Sequence, residues 1–275
     1  MSLVVAEGGI RTTMAASPRL RCVLALTRVE ARRLIIHPAI LSAPAVIVLT
    51  GVRGPGVFRF LFLVGIGYFA LGIGTFIAAN LSASRSRRDG TEELYQSLPL
   101  RPVDRTVAHL LSVAGPLTAA LLIAGVLAAV TPPWAGASLR LDIEPRTIMR
   151  GLPDFALGPL LVAFLGVAGV LLARWFVTPV AVPVVFAGIF AMNSLADLAP
   201  RALRWLNPAA DYSSAGLVSA SVMPWHLLYV AGLILLLGLA ALVRRPFARG
   251  LQVYGAFAVA ITGLGAVMQV MAASS

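Results

Sequence analysis

The sequence contains no lysine, a single cysteine and few acidic residues. All 22 basic residues are arginines, and they face only 11 acidic residues. A chain without lysine can form neither a Walker A phosphate-binding loop nor a lysine Schiff base, so ATP hydrolysis through its own P-loop is excluded. The one cysteine, Cys22, excludes an intramolecular disulfide and a multi-cysteine metal site.

Charge is scarce throughout the chain, and apolar residues take its place. Only 12% of the 275 residues are charged, 59% are hydrophobic, and the mean hydropathy is +0.90. A soluble domain has about a quarter charged residues, so a soluble enzyme or nucleic-acid-binding domain is excluded. The net charge of +11 is explained by arginine-rich loops on the inner side of a membrane, and no nucleic-acid partner is expected. We predict an all-α integral membrane protein.

Apolar runs of about 20 residues can cross a bilayer as helices, and the chain has seven candidates. The first is short and bends at Pro44, and the last is rich in glycine but carries no charge. We therefore expect six core transmembrane helices and a seventh at the C-terminus. The runs are 34–51, 58–81, 106–130, 155–173, 176–199, 225–243 and 251–273.

The N-terminal segment mixes arginines with leucines and valines. Ser17 and Pro18 form a helix-start pattern, and the residues that follow are typical of an amphipathic helix at a membrane surface. A plain cytoplasmic extension of the first span is the alternative. The predicted organisation is a cytoplasmic N-terminus with an amphipathic interfacial helix (1–33), a six-helix membrane core (34–250) and an additional membrane helix (251–275).

Arginine counts predict the orientation. With the N-terminus inside, the inner segments hold 15 arginines and the outer segments hold seven. The positive-inside rule therefore places the N-terminus in the cytoplasm. The composition, rich in alanine and in arginine without lysine, is typical of a GC-rich bacterial genome, so we expect the bacterial cytoplasmic membrane.

The loop between the second and third spans predicts a short helix at about 91–98. Thr91 or Asp89 can cap it, the two glutamates that follow suit the positive end of its dipole, and Pro99 closes it. Leu94, Tyr95 and Leu98 gather apolar surface on one side. A two-turn helix has little stability alone, so this side is expected to contact a partner.

The same loop resembles the signature of the type 2 ABC transporter permeases, the membrane subunits of ABC exporters. That signature is Gly-Thr-x-Glu-x-Leu-x-x-x-Leu-Pro. The residues that carry it here are Gly90, Thr91, Glu92, Glu93, Leu94, Tyr95, Leu98 and Pro99. The segments Glu30–Pro38 and Trp205–Pro208 also look like the family's approach to its first helix and its extracellular segment.

The resemblance implies a function for the loop and a set of partners. The loop would hold a coupling helix that docks on a separate ATPase subunit, present in two copies, which binds the ATP and Mg²⁺. A second permease subunit, identical or related, would complete the pathway in the lipid bilayer. The chain itself would bind no cofactor. The family usually has six helices with both termini inside, so residues 251–273 depart from it.

Several single residues allow more than one interpretation. Small residues in the second span favour helix packing, but the resemblance also suggests a translocation-pathway face that includes Gly65, Gly67, Gly72, Gly74 and Asn193. Asn80 is expected to cap the second span. The histidines, His37, His109 and His226, have no metal-ligand spacing and are expected to pack or to form hydrogen bonds. No catalytic residue and no metal site is predicted.

Two other functional classes remain open. One is a membrane anchor or regulatory subunit that transports nothing. The other is a polytopic membrane enzyme, which would need titratable residues clustered at one depth; the sequence shows no such cluster, and Asp197, near an end, is the only acidic residue in the predicted spans. The substrate of an exporter with so few charges in its spans is expected to be amphipathic or lipidic.

Overall fold

The computed structural model is helical throughout the part of the chain that it describes. That part is residues 18–49, 56–90, 100–138, 151–176, 201–209, 222–243 and 249–274, with positions 183, 187, 188 and 191. These ranges contain no strand. Their helices are α1 (Pro18–Ile35), α2 (Pro38–Leu41), α3 (Ala43–Leu49), α4 (Gly56–Arg88), α5 (Pro102–Ser112), α6 (Ala114–Ser138), α7 (Gly151–Trp175), α8 (Arg201–Arg204), α9 (Met223–Leu242) and α10 (Arg249–Ser274).

Five stretches of the described helices are long and apolar enough to cross a membrane. They confirm the prediction of an all-helical chain with the character of a membrane protein. Each coincides with one of the predicted runs, and the last includes most of α10. The predicted run at 176–199 lies almost entirely outside the described residues. The five stretches are Gly65–Arg88, Pro102–Val126, Ala156–Trp175, Met223–Leu242 and Gln252–Ser274.

The first predicted run differs most from the structure. Residues 34–49 form the end of α1 and the short helices α2 and α3 instead of one continuous helix. His37 has an extended backbone, with φ −69° and ψ 135°, because the proline that follows disfavours the helical conformation. Its Nδ1 accepts a hydrogen bond from the Ala39 backbone N–H at 3.2 Å. His37 is therefore the N-cap of α2.

Two other helices differ from their predicted bounds. α4 continues past residue 81 to Arg88, and Asn80 does not cap it as expected. Instead, the buried Asn80 Nδ2 donates to the carbonyl oxygen of Gly169 in α7, at 3.2 Å. The run at 106–130 is divided at Val113 between α5 and α6, because Pro116 lacks the N–H that would continue the helix.

α7 is the central helix of the described fold. It packs against α4 most extensively and also against α6 and α9. The backbones of α4 and α7 approach very closely, since a Cβ added at Gly169 would lie 2.4 Å from the Phe76 carbonyl oxygen. Only glycine fits at such a contact. The hydrophobic core along this interface includes Tyr68, Phe76, Leu161, Val162 and Val170.

Hydrogen bonds between helices define two ends of this bundle. Arg87 of α4 donates to the Ala173 carbonyl of α7, and Trp175 Nε1 of α7 donates to the Ala240 carbonyl of α9 at 3.0 Å. The C-termini of α4, α7 and α9 therefore lie together at what we call the arginine-rich end. At the other, opposite end, His226 near the start of α9 meets Gln269 near the end of α10.

Candidate functional site at the arginine-rich end

A buried carboxylate, Glu30 of α1, organises the arginine-rich end. The Ser82 hydroxyl of α4 donates to Glu30 Oε2 at 2.5 Å, and Arg33 Nη1 donates to Oε1 at 2.9 Å. The Glu30 side chain is only 6% exposed, whereas that of Arg33 is about half exposed at 49%. A buried carboxylate is stable only when it is paired and hydrogen-bonded, so these contacts hold α1 against α4.

A cavity of about 20 Å³ lies beside the Glu30 carboxylate. A water molecule needs about 10–15 Å³ of such space and two or more polar partners, so the cavity suits a single water. Its walls come from α1, α4, α5 and α7. The polar residues of these walls are Glu30, Ser82, Arg85, Ser86, Arg105, His109 and Arg174.

Around this cavity, positively charged side chains outnumber negatively charged ones. Arg105 and Arg174 are both buried, at 7% and 9% exposure, and they share the cavity wall with one carboxylate. Each arginine extends from a different helix toward the same space. Any rearrangement of α5 relative to α7 would therefore change how these charges are satisfied, because buried charges are costly without partners.

A second ion pair connects α1 to the start of α5. Arg19 Nε donates to Asp104 Oδ2 at 2.8 Å, and Arg19 Nη2 contacts Oδ1, which makes the pair bidentate. The same carboxylate accepts the Arg101 backbone N–H at 3.1 Å and so caps α5. The hydrogen bond to Asp104 raises the pKa of the Arg19 guanidinium above its ordinary value. Arg19 therefore stays charged at physiological pH.

The loop singled out by its sequence begins and ends at this cluster. Gly90 has φ +65°, a left-handed conformation that glycine adopts readily, and it lies two residues after the end of α4 at Arg88. At this end of the loop, Arg85 Nε donates a hydrogen bond to Asp89 Oδ2 at 3.2 Å. On the other side, Arg101 leads into α5. The predicted coupling-helix residues Thr91, Glu92, Glu93, Leu94, Tyr95, Leu98 and Pro99 lie outside the described residues.

The glycines of the predicted pathway face lie inside the bundle. Gly65, Gly72 and Gly74 are buried, and Gly67 is partly buried. A Cβ at Gly74 would lie 2.3 Å from the Ala39 carbonyl oxygen of α2, and one at Gly72 would lie 2.7 Å from Leu165 of α7. Both glycines therefore allow close packing of α4. Asn193 lies outside the described residues, and a pathway role for this face stays a prediction.

The opposite end holds a neutral polar cluster centred on His226, which is fully buried. Its Nδ1 lies 3.0 Å from Gln269 Oε1, and its Nε2 lies 3.3 Å from the Pro208 carbonyl oxygen. A neutral imidazole can donate only one proton. Both contacts of the His226 ring are satisfied when the Gln269 side-chain amide is flipped, so that Gln269 Nε2 donates to His226 Nδ1. In this arrangement the histidine donates to Pro208.

Aromatic rings surround this second cluster. The Trp205 ring packs edge-on against His226 with centroids 5.4 Å apart, and the Tyr229 hydroxyl donates to the Leu206 carbonyl at 2.9 Å. The segment 205–208, which the sequence singled out for its resemblance, is thus held by α9 through His226 and Tyr229. Among the residues that the structure describes, no group of three or more histidine, cysteine or acidic side chains could hold a metal ion.

Sequence reasoning missed Glu30, Arg105 and Arg174 as members of one cluster, and Gln269 as a partner of His226. For Glu30 a signal was present. Val23 and Leu34 are apolar and share its helical face, at intervals of seven and four residues. An acid within an apolar stripe indicates a buried, paired carboxylate. No comparable local signal marked Arg174 or Gln269.

The sequence matches no protein-family model, and comparisons with curated proteins and with solved structures give no significant match.

Proposed function

We propose that this chain is the membrane-spanning permease subunit of an ATP-driven exporter. In this proposal the loop after Gly90 docks on a separate ATPase subunit, which supplies ATP hydrolysis. Two ATPase copies and a second permease subunit complete the transporter. The arginine-rich end faces the cytoplasm of a bacterial cell, and residues 251–273 cross the membrane with the C-terminus outside.

The observation that carries this proposal is the attachment of the loop at both of its ends. Gly90 follows a helix that is hydrogen-bonded to α7 through Arg87 and to α1 through Ser82. Arg101 leads into a helix whose capping residue, Asp104, is paired with Arg19. A displacement of the loop would thus reach several membrane helices through short, direct contacts.

Coupling of ATP hydrolysis to transport requires two conformational states of the transporter with different contacts. ATP binding would close the ATPase pair and move the docked loop. The cavity beside Glu30 provides polar groups from four helices that can exchange partners as those helices shift. The apolar walls of the spans suit an amphipathic or lipidic substrate.

Two alternatives predict different behaviour. An anchoring or regulatory subunit would bind partners through the same loop but would move no substrate. A polytopic membrane enzyme would need reactive groups around an accessible cavity, whereas the cavity described above has room for one water. The enzyme alternative gives the apolar side of the loop no role, and a transport measurement separates an anchoring subunit from an exporter.

The first test is co-purification of ATPase subunits with the native chain and with Leu94→Asp or Tyr95→Asp. A charge within an apolar docking surface should lower the recovery of the ATPase at least about tenfold while membrane insertion is unchanged. The matched control is Phe176→Asp, which adds the same charge to an exposed aromatic residue at the same end, 54% exposed. Undiminished recovery with both loop variants would contradict the proposal.

A further inference from the structure

The exposed side of α1 carries three arginines that differ from the paired arginines at the same end. Arg21, Arg28 and Arg32 are spaced by seven and four residues, so they share one face of the helix. All three are exposed. We call this row the arginine ridge.

The ridge arginines have no partner among the described residues, and this sets them apart from their neighbours. Arg19, Arg33 and Arg85 each pair with an acidic side chain, and Arg87 and Arg88 donate to backbone carbonyls. None of the three ridge guanidinium groups makes a hydrogen bond or ion pair to any residue that the structure describes. The ridge is thus a row of exposed donors without a protein partner among the described residues.

Apolar side chains border the ridge on the same exposed side of α1. Leu20, Leu24 and Ile35 form a stripe beside it and are 47%, 42% and 42% exposed. Val29, on the other border, is also 48% exposed. A face that met only water would not present such a stripe next to its charges. Arginines flanked by exposed aliphatic residues are typical of a helix at the boundary between lipid tails and headgroups.

The position of α1 agrees with this boundary. Glu30 of α1 is bonded to Ser82, within the last two turns of α4, and Arg19 is bonded to Asp104, in the first turn of α5. The ridge therefore lies at the level where candidate membrane spans end. Lipid phosphates occupy that level in a bilayer.

From these observations we propose that the arginine ridge of α1 binds the headgroups of anionic phospholipids. The guanidinium group presents a planar fork of donors that matches phosphate oxygens, and the net negative charge of the lipid complements three uncompensated positive charges. The stripe formed by Leu20, Leu24 and Ile35 would lie against the acyl chains. This surface is independent of the proposed transport function.

Native mass spectrometry of the full-length chain in detergent tests the proposal. The purified protein is titrated with dioctanoyl phosphatidylglycerol, which is anionic, and with dioctanoyl phosphatidylcholine, which has no net charge. Each arginine near an anionic surface contributes about fivefold in affinity. We expect phosphatidylglycerol to bind more tightly, and the triple variant R21Q/R28Q/R32Q to lose at least about tenfold of that affinity.

Two matched variants separate a specific surface from net charge. R19Q/R33Q/R85Q removes the same number of charges from the same end, but from arginines that already have acidic partners, and should keep most of the lipid affinity. R21K/R28K/R32K keeps the charge but replaces each planar guanidinium fork with a point charge, and should retain only part of the affinity. Because the ridge side chains have no partner among the described residues, both ridge variants should keep the helix content and melting temperature of the native chain.

Three results would overturn the proposal. One is equal affinity for the two lipids, and another is an equal loss in the two glutamine triples, which would show that net charge alone attracts the lipid. The third is displacement of phosphatidylglycerol by millimolar inorganic phosphate, which would identify a soluble anion as the ligand. The assay contains no ATPase, so its outcome and that of the co-purification test are distinguishable.

Discussion

The two ends of the helical bundle are stabilised by different chemistry. At the arginine-rich end, Glu30 and Asp104 hold α1 to its neighbours through charged hydrogen bonds, and a water-sized cavity lies among the charges. At the opposite end, His226 and Gln269 join α9 to α10 through neutral groups, both fully buried. One end is ionic and has a cavity with room for a water, and the other is neutral and buried.

This difference has a physical cause and a consequence for motion. Charged groups remain stable when their partners change, provided that water and other charges are near, so an ionic cluster can have more than one arrangement. A buried neutral cluster has few alternative partners, and breaking one of its bonds leaves an unsatisfied group. We therefore expect the arginine-rich end to rearrange during function, and the α9–α10 end to remain fixed.

The largest effect is expected for Glu30→Ala. Removing a buried carboxylate leaves Ser82 and Arg33 without their shared acceptor, beside the buried Arg105 and Arg174, which should lower the free energy of unfolding by about 3 kcal/mol. Thermal unfolding in detergent measures the change. Arg33→Ala is the control, because its half-exposed side chain should contribute less than about 1 kcal/mol. Equal losses in the two variants would show that Glu30 has no central role.

An intermediate effect is expected at the opposite end. Gln269→Leu removes the partner of His226 Nδ1 and should cost about 1–2 kcal/mol, and His226→Phe should cost a similar amount. In the double variant neither group is left unsatisfied, so its loss should be smaller than the sum of the single losses. Strict additivity in this double-mutant cycle would contradict a direct hydrogen bond.

The smallest effect is expected for Arg19→Gln. The Arg19 side chain is 48% exposed, so water and salt screen its ion pair with Asp104. We expect the melting temperature to fall by less than about 2 °C in low salt, and the difference from the native chain to vanish near 1 M salt. Gln269→Leu should show no such dependence on salt. A salt-independent effect of Arg19→Gln would show that the two ends are not electrostatically different.

The helices with long uninterrupted apolar runs were predictable from the sequence. The runs at 225–243 and 251–273 coincide with α9 and α10 within a few residues, because the arginines at 244–249 separate them and leave little freedom in where α9 ends and α10 begins. The helices within the run at 34–51 were harder to predict. Its two prolines, Pro38 and Pro44, interrupt the helix, and the tertiary contacts with α4 determine how the pieces lie.

The candidate site was predictable only in part. In the sequence, Gly90 stands out only as part of the loop signature, and the structure adds that its φ is positive and that α4 ends two residues before it. The prediction that Asn80 caps the second span was wrong, because an amide near the apparent end of an apolar run has the same local pattern as a helix cap. In the structure Asn80 bonds to Gly169, which is 89 residues away. No local pattern reports a partner at that distance.

Composition and local pattern alone determined that this chain is helical and has the character of a membrane protein, and that it lacks a Walker A loop and a disulfide. Those properties depend on residue types and short spacings, which a single sequence contains in full. Only the tertiary structure decided that Glu30 meets Ser82 and that His226 meets Gln269, across 52 and 43 residues of chain. Such pairs depend on how helices pack, and packing is set by the shapes of whole surfaces rather than by any one segment.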